Sequence, residues 1–96
     1  MYKKISEMSD ADKVDFLEHT KQAMVCEQGI PWKYIEKRMV EEIENIFDDE
    51  KYVKMDPDSR IDAAFARKEF GNQKPILVDY MLWLVNFVTK SEYVEW

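Results

Sequence analysis

The sequence predicts an all-α fold, a compact bundle of about four helices, and three observations lead to that prediction. Apolar residues recur at spacings of three and four along most of the chain. Both glycines, Gly29 and Gly71, fall where these helical patterns end. No segment alternates apolar and polar residues over a strand's length, apart from a weak case at 51–55. With 96 residues the chain is long enough for a single helical domain, 1–96, around one core.

The first predicted helix spans 10–28. Ser9 is a good N-cap, and Asp12 three residues later gives an acidic variant of the capping box. Gly29 suits the left-handed position that follows many helices. Both ends of this helix are therefore predicted from local chemistry.

The second predicted helix spans 31–49, with Pro31 in its first turn. Its apolar stripe makes it the clearest amphipathic helix of the chain, and the stripe consists of Trp32, Ile35, Met39, Ile43 and Ile46. The acidic run 48–50 then falls near a helix C-terminus, where the helix dipole disfavours negative charge. Either the helix continues through Val53, or its end carries an electrostatic penalty.

The third and fourth predicted helices span 57–70 and 75–90. Asp56 as N-cap, Pro57 at the first helical position and Gly71 after the last one delimit the third helix. Pro75 opens the fourth, and all but two of residues 76–88 are apolar. At ~1.5 Å per residue this run covers about 20 Å, short of the ~30 Å of a bilayer, so it is predicted as a central bundle helix. The aromatic C-terminal tail is expected to dock on the bundle.

The net charge of −6 comes from one segment of the chain. Six of the 20 acidic residues lie in 41–50, which contains no base, and the remaining 14 acids balance the 14 bases. A net negative charge disfavours nucleic acid or an anionic membrane as a direct partner. The segment is therefore the first place to look for a partner-binding surface.

The sequence offers little for catalysis or metal binding. His19 and Cys26 stand about 10 Å apart along one helix, too far to act as a nucleophile and its base. One histidine and one cysteine also do not make a structural zinc site. We expect no enzymatic activity, no metal and no cofactor. The single cysteine and the absence of an apolar run behind the first lysines favour a cytoplasmic location.

The leading functional hypothesis is a small, non-enzymatic protein-binding module, an inhibitor or regulator. Its acidic helix face would engage the basic surface of a nucleic-acid-binding partner protein, in the manner of phage proteins that counter host defence. Glu41, Glu44 and Asp48 form a row whose rises of ~4.5 and ~6 Å resemble phosphate spacing along a strand. The predicted partner-binding residues are Glu41, Glu42, Glu44, Asp48, Asp49 and Glu50.

Two other functions are compatible with the sequence. A helical homo-oligomer, with a homodimer as the simplest case, could bind a small anion or nucleotide through a basic cluster formed by Arg60, Arg67, Lys68 and Lys74. Alternatively, an accessory subunit could dock on a larger protein through the apolar fourth helix and the C-terminal aromatic residues. The predicted hydrophobic interface residues are Trp83, Tyr93 and Trp96.

Overall fold

Five α-helices and one small antiparallel sheet make up the structure, a computed structural model that describes residues 1–96. In chain order the elements are β1 (Tyr2–Lys4), a 3-10 turn (Ile5–Glu7), α1 (Asp10–Gln28), α2 (Trp32–Phe47), α3 (Asp49–Val53), α4 (Pro57–Phe70), α5 (Leu77–Thr89) and β2 (Tyr93–Glu95). Helical residues make up 73% of the chain, so the predicted all-α bundle is confirmed. None of the helices is both long enough and apolar enough to cross a membrane.

The ends of α1 and α4 lie where the capping residues predict them. The Ser9 hydroxyl accepts a hydrogen bond from the Asp12 amide at 3.1 Å, and the Asp12 carboxylate accepts one from the Ser9 amide at 3.0 Å. The Asp56 carboxylate caps α4 by accepting from the Ser59 amide at 3.1 Å. Gly29 and Gly71 end the two helices at φ of 69° and 61°, values that a glycine adopts without steric cost.

The second helix differs from its prediction at both ends, and at the first of them Pro31 keeps an extended backbone as the N-cap, so that the helix begins at Trp32. It ends at Phe47, two residues early, because Asp48 takes up an extended backbone and accepts a hydrogen bond from the Lys51 amide. Asp48 is therefore the N-cap of α3, and Asp49 and Glu50 occupy the first turn of that short helix. The helix dipole favours acids there, so the predicted conflict between these acids and the dipole is wrong.

The apolar fifth helix also starts later than predicted. Pro75 does not open it, because Ile76 keeps an extended backbone (φ −72°, ψ 159°) and the helical conformation begins at Leu77. The C-terminal end lies at Thr89, followed by Lys90 in the left-handed conformation at φ 59°.

The two chain ends pair with each other, which the sequence did not predict. β1 and β2 are antiparallel, with Lys3 opposite Val94. Beyond the strands the Met1 ammonium donates to the Trp96 carbonyl at 2.7 Å. The Trp96 indole donates to the Asp15 carboxylate at 2.8 Å and packs edge-on against Phe16 of α1. The C-terminal tail is thus docked, as expected, but as a strand.

The core forms in two clusters that share α5. The first joins Met8, α1, α5 and β2 through Met8, Phe16, Met81, Leu82 and Val94. The second joins α2, α4 and α5 through Ile43, Ile46, Ala63, Ala66 and Tyr80. The two alanines allow α4 to approach closely, and Ala66 is completely buried. This second cluster positions the candidate site.

The capping box of α1 makes stability depend on pH in a testable way. The Lys3 ammonium donates a hydrogen bond to the Asp12 carboxylate at 2.7 Å. This bond lowers the pKa of Asp12 below its ordinary 3.8, and the hydrogen bond from the Ser9 amide is the second-largest cause of the lowering. Because the folded pKa is the lower one, the ionised carboxylate stabilises the fold above about pH 4, and the contribution is lost as pH falls through the folded pKa. We expect Asp12→Asn to be less stable than wild type at about pH 6 and equally stable near pH 2, by urea unfolding. In a Lys3→Met background the difference at pH 6 should shrink, and an unchanged difference at both pH values would contradict this role.

Candidate partner-binding groove

The structure divides five of the six predicted acidic residues into two groups, and the sixth, Glu50, is exposed in the first turn of α3 and belongs to neither. One group has internal partners: Asp49 pairs with Arg67 at 2.6 Å, Glu44 approaches Lys74 at 3.9 Å, and Asp48 caps α3. Since α2 ends before Asp48, the row of Glu41, Glu44 and Asp48 does not continue along one helix. The bases that pair with Asp49 and Glu44 come from α4 and from the segment after it, so the spacing of residues on α2 alone could not reveal them.

The remaining acids of α2 border a groove. The acidic groove, as we name it, is a cavity of about 490 Å³ between α2, α4 and α5. Its rim carries Glu41 and Glu42 from α2 and Asp56 and Asp62 at and near the start of α4, against one base, Arg38. A volume of this size lies within the ~300–1,000 Å³ range of ligand-binding clefts.

The charge of this rim is not neutralised inside the protein. Glu41, Glu42 and Asp62 take part in no ion pair, and Arg38 donates instead to the amide oxygen of Gln28 at 2.7 Å. Asp56 is held ionised because the Ser59 backbone amide donates to it and thereby lowers its pKa. Glu41, Glu42 and Asp62 therefore present three carboxylates without an ion pair around one opening, beside the Asp56 carboxylate that caps α4.

The floor of the acidic groove is aromatic and aliphatic. Trp83 and Phe87 of α5 stack with ring centroids 5.0 Å apart, and Tyr80 lies 5.8 Å from Trp83. The other apolar side chains that line the groove are Ile46, Met55, Ala63, Leu84 and Val88. An apolar floor inside a ring of negative charge suits a ligand that combines apolar and cationic groups.

Tyr80 connects this floor to the core. Its side chain is only 2% exposed. Burial raises the pKa of its phenol well above the ordinary 10.0, and the charges of Glu42 and Asp62 raise it further. The phenol, which is protonated at physiological pH even at its ordinary pKa, lies beside the Glu42 carboxylate at the groove.

Asp56 and Asp62 were missed as site residues by reasoning from the sequence. Asp56 was recognised only as a helix cap, and Asp62 lies among bases in the chain. They join Glu41 and Glu42 only because α4 packs against α2 through Ala63 and Ala66. The two alanines, three residues apart on one face of α4, were the one available signal of close packing.

The predicted basic cluster does not converge on one point. Arg67 donates to the Ile46 carbonyl at 3.1 Å and to the Asn72 side chain at 3.1 Å, and it covers the Tyr52 ring at 4.4 Å. Arg60 donates to the Met55 carbonyl at 3.2 Å, and Lys74 lies near Glu44. Lys68 is exposed. Most of these donors are thus occupied by the protein's own backbone and side chains.

The predicted hydrophobic interface residues lie in two separate places. Trp83 lines the acidic groove and packs on the second core cluster. Tyr93 stacks on Tyr2 with centroids 5.1 Å apart, and Trp96 packs on the first core cluster. Only Trp83 therefore contributes to the groove.

His19 and Cys26 both lie exposed on α1, where the His19 ring pairs with Asp15 of the previous turn. No group of three or more histidine, cysteine or acidic side chains is arranged to hold a metal ion.

Comparisons of the chain with protein-family models, with curated proteins and with solved structures found no match.

Proposed function

We propose that the protein is a small, non-enzymatic binding module that acts in the cytoplasm as an inhibitor or regulator of a partner protein. Its acidic surface engages a basic surface on that partner, and the acidic groove is the centre of contact. The observation that carries this proposal is the rim itself, where Glu41, Glu42 and Asp62 have no ion pair within the chain. Charge that a fold leaves uncompensated around a cleft raises the local concentration of an oppositely charged partner.

The same charge pattern supports a nucleic-acid-binding protein as the partner. Proteins that bind nucleic acid neutralise phosphates with lysine and arginine, so they present extended cationic surfaces of the kind that suits an acidic module. Glu41 and Glu42 would then occupy part of a surface that normally contacts phosphates. Because Glu44 and Asp49 have ion pairs within the chain, we propose a contact that is centred on the groove rather than on the full row 41–50.

Charge reversal at the rim tests the proposal. We expect Glu41→Lys with Glu42→Lys to abolish capture of the partner from a lysate of the producing cells at low salt, and wild-type capture to weaken steeply as salt is raised. A matched control is Glu18→Lys with Glu27→Lys, which changes two exposed, unpaired acids of α1 and alters the net charge equally. Capture should survive in the control and should be reduced by added duplex DNA or RNA. Equal capture by both double variants would contradict the proposal.

A further inference from the structure

The acidic groove continues into apolar surface that the fold leaves open to solvent. Phe65 of α4 lies 5.4 Å from Phe87, which stacks on Trp83 in the groove floor. Ile61, one helical turn before Phe65, is 58% exposed, and Val88 at the end of the groove is 70% exposed. An apolar strip thus runs from the floor out over α4 and α5, beside the acidic rim.

The shape of the strip sets the size of its occupant. The part of α5 that forms the groove floor runs from Tyr80 to Val88. At ~1.5 Å per residue its length is about 12 Å, which is about two turns of a helix. Apolar side chains at positions i, i+4 and i+7 of a bound helix cover a similar length, the spacing by which amphipathic helices dock in grooves. The groove therefore has the length of a short amphipathic helix.

The charge around the strip sets the chemistry of that helix. Four carboxylates against Arg38 make the rim negative, so residues that flank the apolar anchors should be lysine or arginine. A second copy of this acidic chain would bring its own four carboxylates against the same rim in a twofold contact, which like-charge repulsion disfavours. Basic residues beside apolar anchors satisfy both parts of the surface.

Resting on the proposed function, we infer that the acidic groove and the adjoining strip of Ile61, Phe65 and Val88 bind a basic amphipathic helix of the partner protein. Its apolar residues lie on Trp83 and Phe87, and its lysine or arginine residues face Glu41, Glu42 and Asp62. Affinity then has two separable parts, an electrostatic part from the rim and an apolar part from the strip.

The test uses synthetic peptides of about 15 residues. The patterned probe has leucines at i, i+4 and i+7 and lysines on its other faces. A second peptide has the same composition in scrambled order, and a third is oligolysine. We expect the patterned probe to bind about tenfold or more tightly than the other two, to gain helicity on binding, and to show a negative heat-capacity change in calorimetry.

Two variants separate the inference from the proposed function. Ile61→Gln with Val88→Gln should weaken binding of the patterned probe about tenfold and leave binding of oligolysine unchanged. The control is Val14→Gln with Val53→Gln, which changes two valines that are 63% and 60% exposed on other helices. It should change the binding of neither peptide. If Glu41→Lys with Glu42→Lys abolishes binding but the Ile61 and Val88 pair has no effect, the charge-based function stands and the helix-binding inference is wrong. The inference would also be overturned if free arginine amide bound as tightly as the patterned probe. A wild-type protein that is a dimer in sedimentation, and that Ile61→Gln with Val88→Gln makes monomeric, would overturn it as well.

Discussion

Replacing Tyr80 by alanine is expected to lower the free energy of unfolding by about 3–5 kcal/mol, the range for removal of a large buried ring. The ring is 2% exposed and contacts apolar side chains of the second core cluster, which joins α2, α4 and α5. Its removal leaves a cavity between three helices that the backbone cannot close without moving all of them. For a domain of this length total stability is about 5–14 kcal/mol, so the variant would lose a large fraction of it.

The matched control is Tyr80→Phe, which keeps the ring and removes only the hydroxyl. Because the core packing is retained, we expect it to stay within about 1 kcal/mol of wild type in urea unfolding followed by circular dichroism. A loss below about 1 kcal/mol in Tyr80→Ala would show that α2, α4 and α5 do not pack on this ring. A loss in Tyr80→Phe as large as that in Tyr80→Ala would instead assign the stabilisation to the hydroxyl.

This dependence also bears on the groove. Because Tyr80 belongs both to the core and to the floor, the floor is held in place in the free protein. A preformed groove spares a ligand the cost of ordering its site, which favours binding. The side chains of Glu41, Glu42 and Asp62 are exposed and have no ion pair, so they are free to adjust to a partner.

The helix ends that the sequence predicted correctly are those set by local chemistry. Ser9 with Asp12, Asp56 with Pro57, and the two glycines act within a few residues of the ends they define. The C-terminal end of α2 was misplaced because the acidic run 48–50 was assigned to the end of one helix rather than to the start of the next. Acids followed by Lys51 and Tyr52 are typical of a first turn, so that signal was present in the sequence.

The features that the sequence did not predict depend on distant contacts. The strand pair joins Tyr2–Lys4 to Tyr93–Glu95, and three-residue strands are too short to show a pattern. The acidic groove needs α4 to bring Asp56 and Asp62 beside Glu41 and Glu42. Of the predicted acidic residues, Glu41 and Glu42 lie at the groove, whereas three others are occupied by Lys74, Arg67 and the cap of α3. Periodicity places residues on a face of one helix but does not show what covers that face.

Replacing Arg67 by alanine is the second change for which we expect a large effect, a loss of about 2–3 kcal/mol in the free energy of unfolding. Its side chain is 17% exposed and donates to the Ile46 carbonyl, one of the last-turn carbonyls of α2 that has no partner within the helix. A hydrogen bond from a charged donor contributes ~1.5–3 kcal/mol, and the contact with Tyr52 adds to it. The pair with Asp49 adds little, because that carboxylate is 88% exposed, so Asp49→Asn should cost less than about 1 kcal/mol.

The measurement separates a structural arginine from one kept for an anionic ligand. A side chain that serves only a ligand can be removed from the free protein without loss, and Lys68→Ala, at the neighbouring exposed base, should change stability by no more than about 0.5 kcal/mol. Arg67→Lys should recover only part of the loss, since the guanidinium donates to Ile46, Asp49 and Asn72 from three separate nitrogens, whereas the three donors of an ammonium lie on one. The anion-binding alternative would be favoured by two results together. Arg67→Ala would be as stable as wild type, and nucleotides would raise the melting temperature of wild type but not that of the variant. The loss we expect assigns Arg67 to the junction of α2, α3 and α4, where it holds the wall that carries Glu41 and Glu42.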